Sequence, residues 1–223
     1  ANGDVLVNAN NHTNIDVVSG AAGVGIFGGG IGASVGIVLV DKDTQAYIGD
    51  SAIVDASANP TGSIPVPNLL RGISVQADSS ENIFNLAVAG GGGLFVGVAG
   101  AVTVDIVDSD THAYIGEGAQ INQNTLLANN AQSVNVSANN ELDLLGISGS
   151  AAAGLVALSG GVDVGIVRND TSAEIQDDAV INAQRDVSVQ AQSTKEVESY
   201  AISGTIGGFV GVAGAVAVHS IGG

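Results

Sequence analysis

Phe95-Val96-Gly97-Val98-Ala99-Gly100-Ala101-Val102 recurs letter for letter as Phe209-Val210-Gly211-Val212-Ala213-Gly214-Ala215-Val216. Two apolar side chains alternate with small ones, so the stretch has the period of a strand and not of a helix. Looser copies are Val35-Gly36-Ile37-Val38-Leu39-Val40 and Val162-Asp163-Val164-Gly165-Ile166-Val167. A repeated strand of this kind makes the whole chain a candidate repeat protein, and other signatures recur around it.

After each complete copy comes Asp43-Thr44-Gln45-Ala46-Tyr47-Ile48, Asp110-Thr111-His112-Ala113-Tyr114-Ile115 or Asp170-Thr171-Ser172-Ala173-Glu174-Ile175. Each unit opens on alternating apolar residues: Val5, Val7, Ala9; Ile73, Val75, Ala77; Val134, Val136, Ala138; Val187, Val189, Ala191. From opening strand to closing Ile the spacing is 43, 42 and 41 residues, whereas the connectors to the next unit run 25, 19 and 12. A constant core with variable loops is how stacked repeats absorb insertions. One repetitive β domain over 1–223 is expected, in four units at 1–71, 72–132, 133–185 and a shortened 186–223. Pro60, Pro65 and Pro67 fall in the longest connector, where missing donors do least harm.

Each unit reads as five or so short strands, with a Gly-rich reversal such as Gly90 to Gly93 and a second reversal at the Asp-Thr pair. The fold class expected is all-β: a parallel β-helix, or β-solenoid, of four irregular repeats with Gly/Ala-rich hairpins. Stacked β-sandwich repeats are the alternative. The solenoid is preferred because units of about 60 residues with few aromatics make poor independent cores. It places Ala46, Ala113 and Ala173 over one another.

Composition narrows the function. The 223 residues include 33 Gly and no Cys, Met or Trp, with 22 acidic against 5 basic side chains and a formal net charge of -17. Scattered Lys42, Arg71, Arg168, Arg185 and Lys195 offer no basic patch, so nucleic acid is not an expected partner. Thiol chemistry is excluded with the cysteines. The missing Met points to a mature or excised piece. Val17 to Val40 and Asn82 to Val104 carry no charge over lengths that suit a membrane helix. Their glycines, two-residue period and lack of flanking cations argue against membrane insertion.

No motif demands catalysis. Gly23-Val24-Gly25-Ile26-Phe27-Gly28 fits a dinucleotide fingerprint by letter but lacks the helix it must open. Ser34 within Gly32-Ala33-Ser34-Val35-Gly36 sits in an alternating strand instead of a strand-turn-helix elbow. His12, His112 and His219 are isolated, and no cofactor is expected. Asp41, Asp43, Asp108 and Asp110 are the metal candidates: paired carboxylates on tight turns suit Ca²⁺. Ordinary turn chemistry explains the same residues.

The strand of Phe95, Val96, Gly97 and Val98, with its copy Phe209, Val210, Gly211 and Val212, is the candidate self-association surface. Its small-residue face can pack within the same coil or against another copy. Neither end of the chain has the polar cap of a finished solenoid. This leaves a fragment of a longer protein, or copies that cap one another by edge pairing.

The run Val134-Asn135-Val136-Ser137-Ala138-Asn139-Asn140, the Ser-Gly steps, the Gly/Ala/Val strands and Asp110-Thr111-His112-Ala113-Tyr114-Ile115-Gly116 resemble the repeat regions of giant bacterial surface proteins. These are the filamentous-haemagglutinin and leukotoxin-like adhesins. The resemblance covers nearly the whole chain. It implies a secreted, surface-exposed β-helical stalk used in adhesion, biofilm or cell-cell contact, whose partners are itself and a host or neighbouring cell surface. It brings no catalytic residue, so no enzyme is expected, and Glu174 departs from the Tyr of the other units.

Overall fold

The structure, a computed structural model, describes residues 3–59, 71–126 and 128–223. Pro60, Pro65 and Pro67 lie outside them. In chain order the strands are β1 (Val5–Gly25), β2 (Gly29–Ile48), β3 (Ile53–Val54), β4 (Arg71–Gly93), β5 (Val96–Ile115), β6 (Gln120–Ile121), β7 (Gln132–Ile175), β8 (Val180–Ile181) and β9 (Val187–Gly222). The described residues are all-β, and no helix among them could cross a membrane.

Every strand pairing is parallel. β1 lies on β4, β4 on the first half of β7, and that on the first half of β9. β2 lies on β5 and β5 on the second half of β7, which carries the second half of β9. The short β3, β6 and β8 stack into a third wall. The chain therefore runs out along one arm, reverses, returns along the other, turns a corner and climbs onto itself. Equivalent residues fall in register: Val5 on Ile73 on Val134 on Val187, and Ala46 on Ala113 on Ala173.

Three sequence expectations fail here. The strands are 20 residues or longer on each arm, not five short ones, and the chain does not turn at Asp-Thr. The reversals near Gly25–Gly29 and Gly93–Val96 are not hydrogen-bonded hairpins, because β1 and β2 do not pair. The two arms instead face each other across the interior.

Side-chain size along the arms explains the shape. At the base, where the short strands add a third wall, Ile48, Ile73, Ile115, Ile121, Val134 and their neighbours fill the space. Further out Val38, Ile83, Val107, Leu142, Leu144 and Val167 form a second layer, and then only small side chains remain, the alanines Ala87, Ala89, Ala99, Ala101, Ala152 and Ala157 together with serines such as Ser34 and Ser148. Beyond them the arms meet backbone to backbone. A Cβ on Gly23 would lie 1.9 Å from the Ile31 carbonyl oxygen, and one on Gly91 the same 1.9 Å from that of Val98. Shrinking residues thus pull the arms together into a wedge with a thin tip. The wider base corner is held by Asn122, which has φ 56. Its Oδ1 accepts from Ala56 N–H at 2.9 Å and its Nδ2 donates to the Asn182 carbonyl at 3.0 Å, tying three successive coils.

Candidate functional site

The carboxylates picked out for calcium lie inside β2 and β5, not on turns. Their alternation puts them on the outer face in two in-register rows: Asp41, Asp108 and Arg168, then Asp43, Asp110 and Asp170. Neighbours in a row stand about 4.8 Å apart, the spacing of parallel strands. Gln45 Nε2 donates to Asp43 Oδ2 at 2.7 Å. Among the described residues no three His, Asp or Glu side chains are grouped to hold a metal ion. Above the rows Tyr47 and Tyr114 stack with centroids 5.0 Å apart, and Glu174 takes the next place.

Two polar layers cross the interior, and both escaped the sequence reading. In the first, Lys42 Nζ reaches Glu81 Oε1 at 2.6 Å with both side chains buried. The same oxygen accepts from Ser79 Oγ at 2.7 Å and Ser109 Oγ at 3.0 Å. Asn140 Nδ2 donates to Ser109 and Thr111 and Asn169 Nδ2 to Asn140, while Lys195 Nζ donates to the Asn169 carbonyl at 3.2 Å. The result is a hydrogen-bonded spine along the stack.

The second layer sits where the aliphatic and alanine layers meet. Asp163 accepts from Thr103 Oγ1, from Ser199 Oγ and, at 2.9 Å, from His219 Nε2. Asp105 accepts from Asn85 Nδ2 at 2.8 Å. Burial pushes the Asp105 carboxyl up to about 6; the Asn85 hydrogen bond opposes this, the Asp163 charge adds to it and His219 opposes it. Glycines make the room. A Cβ on Gly36 would lie 2.2 Å from Asn85 Oδ1, and one on Gly165 2.2 Å from His219 Nδ1. The readable signal was a column across units: Asp105, Gly165 and His219 occupy equivalent places, a polar group alternating with a glycine.

Other motifs resolve simply. Ser34 Oγ donates to Ser19 Oγ at 2.9 Å inside the wedge, so Ser34 lies in a strand and not on an elbow. Gly23 and Gly25 serve the close approach of the arms. The histidines sit apart, His12 against Ser80 and His112 against Ser172.

The repeated Val-Gly-Ala strand shows which of its faces is free. Gly97, Ala99 and Ala101 point inward, a Cβ on Gly97 falling 2.2 Å from the Ala153 carbonyl oxygen. Val96, Val98, Val210 and Val212 point outward, and Phe95 and Phe209 sit at the tips of their own coils, as Phe27, which is 90% exposed, does on the first. Small residues thus close the coil, and the branched ones coat its outside. Against protein-family models, curated proteins and solved structures, the chain has no match.

Proposed function

We propose that the chain is a structural, self-associating repeat segment of a bacterial cell-surface adhesin or extracellular fibre, built as a parallel β-helix of four repeats and doing no catalysis. The observation that carries this is the in-register stacking along both arms, with a register shift between Gly154 and Val156 where β7 meets β9 at the tip. Backbone hydrogen bonds then run along the axis of a stalk, the direction in which such a stalk is pulled. Inside, Lys42 is paired with Glu81, Asn140 with Asn169 and Asp163 with His219, and the residue pattern resembles adhesin repeats. Its place is outside the cell or on its surface, and its partners are further copies or further repeats and the surface of a neighbouring cell.

The second reading, a calcium-stiffened adhesion module, is favoured by the rows of Asp41 and Asp108 and of Asp43, Asp110 and Asp170, where like charges repel on adjacent strands. Negative-stain microscopy of the purified chain at neutral pH, with calcium and with chelator, separates the two. Assemblies indifferent to chelator support the first reading. Assemblies lost on chelation support the second, and discrete rods in both conditions contradict self-association.

A further inference from the structure

We infer that two copies of this chain associate face to face through the outer surface of the return arms, a deepening that rests on the self-association just proposed. The surface is made by β2, β5 and the second halves of β7 and β9. From the tip to the row of Asp41, Asp108 and Arg168, no charged side chain among the described residues points outward; Asp105, Asp163 and His219 all point in. Ile31 is 71% and Leu39 69% exposed.

The dimensions suit a second copy. Gly29 to Leu39 spans about 36 Å and four stacked arms about 19 Å, giving a flat apolar face of about 700 Å². Single soluble chains rarely leave so much exposed, and a stable interface covers about 800 Å² on each partner. A pleated sheet of branched residues meets a like sheet at about 10 Å with side chains interleaved.

Relief agrees with this. Across the middle of the face the outward row is Ala33, Gly100, Gly160 and Gly214, a furrow between a ridge through Val98 and Leu158 and a ridge through Val102 and Val162. The chain's own fold does not require these glycines. A Cβ on Gly100 would stand 4.0 Å and one on Gly160 3.8 Å from the nearest atom, one on Gly214 would meet nothing within 4 Å, and none has positive φ. A ridge of the second copy fits the furrow. With the two-fold axis along the stack, between the Gly100 and Val102 rows, the strands of the two copies run in opposite directions, and the ridge of Val102 and Val162 on each copy enters the furrow of the other.

Sedimentation velocity of the whole chain tests this across protein concentration, at about 0.15 M and about 1 M salt. The expected result is a dimer or larger species that strengthens with salt, because the net charge of -17 repels and salt screens it. Val102→Glu with Val162→Glu should leave monomers with an unchanged far-UV spectrum. Gly100→Val should weaken association at least tenfold with no loss of melting temperature. Phe27→Ser with Phe209→Ser at the tip should change little. A wild-type monomer under all conditions overturns both this inference and the self-association reading. Association that survives the Val→Glu pair overturns only the assignment of this face. Monomers that float with zwitterionic phosphatidylcholine vesicles, and cease to with the Val→Glu pair, give the face to lipid and overturn the inference.

Discussion

At the scale of single residues, glycine has two opposite meanings in this chain, and position decides between them. Gly91 faces inward where the arms touch, and its missing Cβ is a requirement of the wedge. Gly214 faces outward into open space. Gly91→Ala should therefore cost about 1–3 kcal/mol by forcing backbones apart. Gly214→Ala should be neutral or stabilise by about 0.5 kcal/mol, since glycine weakens a strand. Thermal melts of the two variants check the contrast, and equal effects would contradict the inward and outward assignment. Asp105 supplies a pH signature. Its carboxyl is raised from 3.8 to about 6 in the fold, so the folded state holds the proton more tightly than the unfolded chain. Its contribution is complete below about 3.8, declines as pH rises toward 6 and is absent above, a loss of about 3 kcal/mol. Asp105→Asn keeps an acceptor for Asn85. It should raise the pH 7 melting temperature and flatten the stability profile between pH 4 and 6; a profile identical to wild type would contradict it.

At the scale of elements, the buried pair of Lys42 on β2 and Glu81 on β4 ties the two arms of successive coils. Lys42→Met leaves Glu81 enclosed without its cation and should cost about 3–5 kcal/mol in denaturant titration. Lys42→Met with Glu81→Leu should recover most of that, because paired charges can be exchanged for apolar volume. The chain already makes half of this exchange one coil on, where Leu142 stands in register with Glu81. A double variant as unstable as the single one would contradict the pairing. The same elements show what the sequence could and could not reveal. Period-two alternation and the recurring Ala-Tyr-Ile signature were enough to place Ala46, Ala113 and Ala173 in one column. The expected turn at Asp43-Thr44 failed because Asp and Thr favour turns locally, while in the fold Thr44 is buried and Asp43 exposed along one continuous strand. Pairing to the neighbouring coil outweighs local preference. The interior layers were hidden for a related reason. Lys42 and Glu81 are 39 residues apart in sequence, and only the closing of the two arms shows that they share one interior.

At the scale of the whole molecule, parallel stacking, the tapered interior and the apolar outer face form one design. Small side chains inward let the arms close without a thick core, which leaves the branched residues of the same strands facing out. The functional proposal follows from that outward coat and from the axial hydrogen bonding, and both depend on the register between coils. The absence of native cysteine makes that register directly measurable. Gln45 and His112 are in register on adjacent strands, whereas Gln45 and Asp110 are offset by two residues. Introduced as cysteine pairs, the first stands about 4.8 Å apart at Cα and the second about 8 Å, beyond what a disulfide spans. Mild oxidation should give a rapid intrachain disulfide in Gln45→Cys/His112→Cys and none in Gln45→Cys/Asp110→Cys. Equal cross-linking of both pairs, or a preference for the second, would contradict the stacked register.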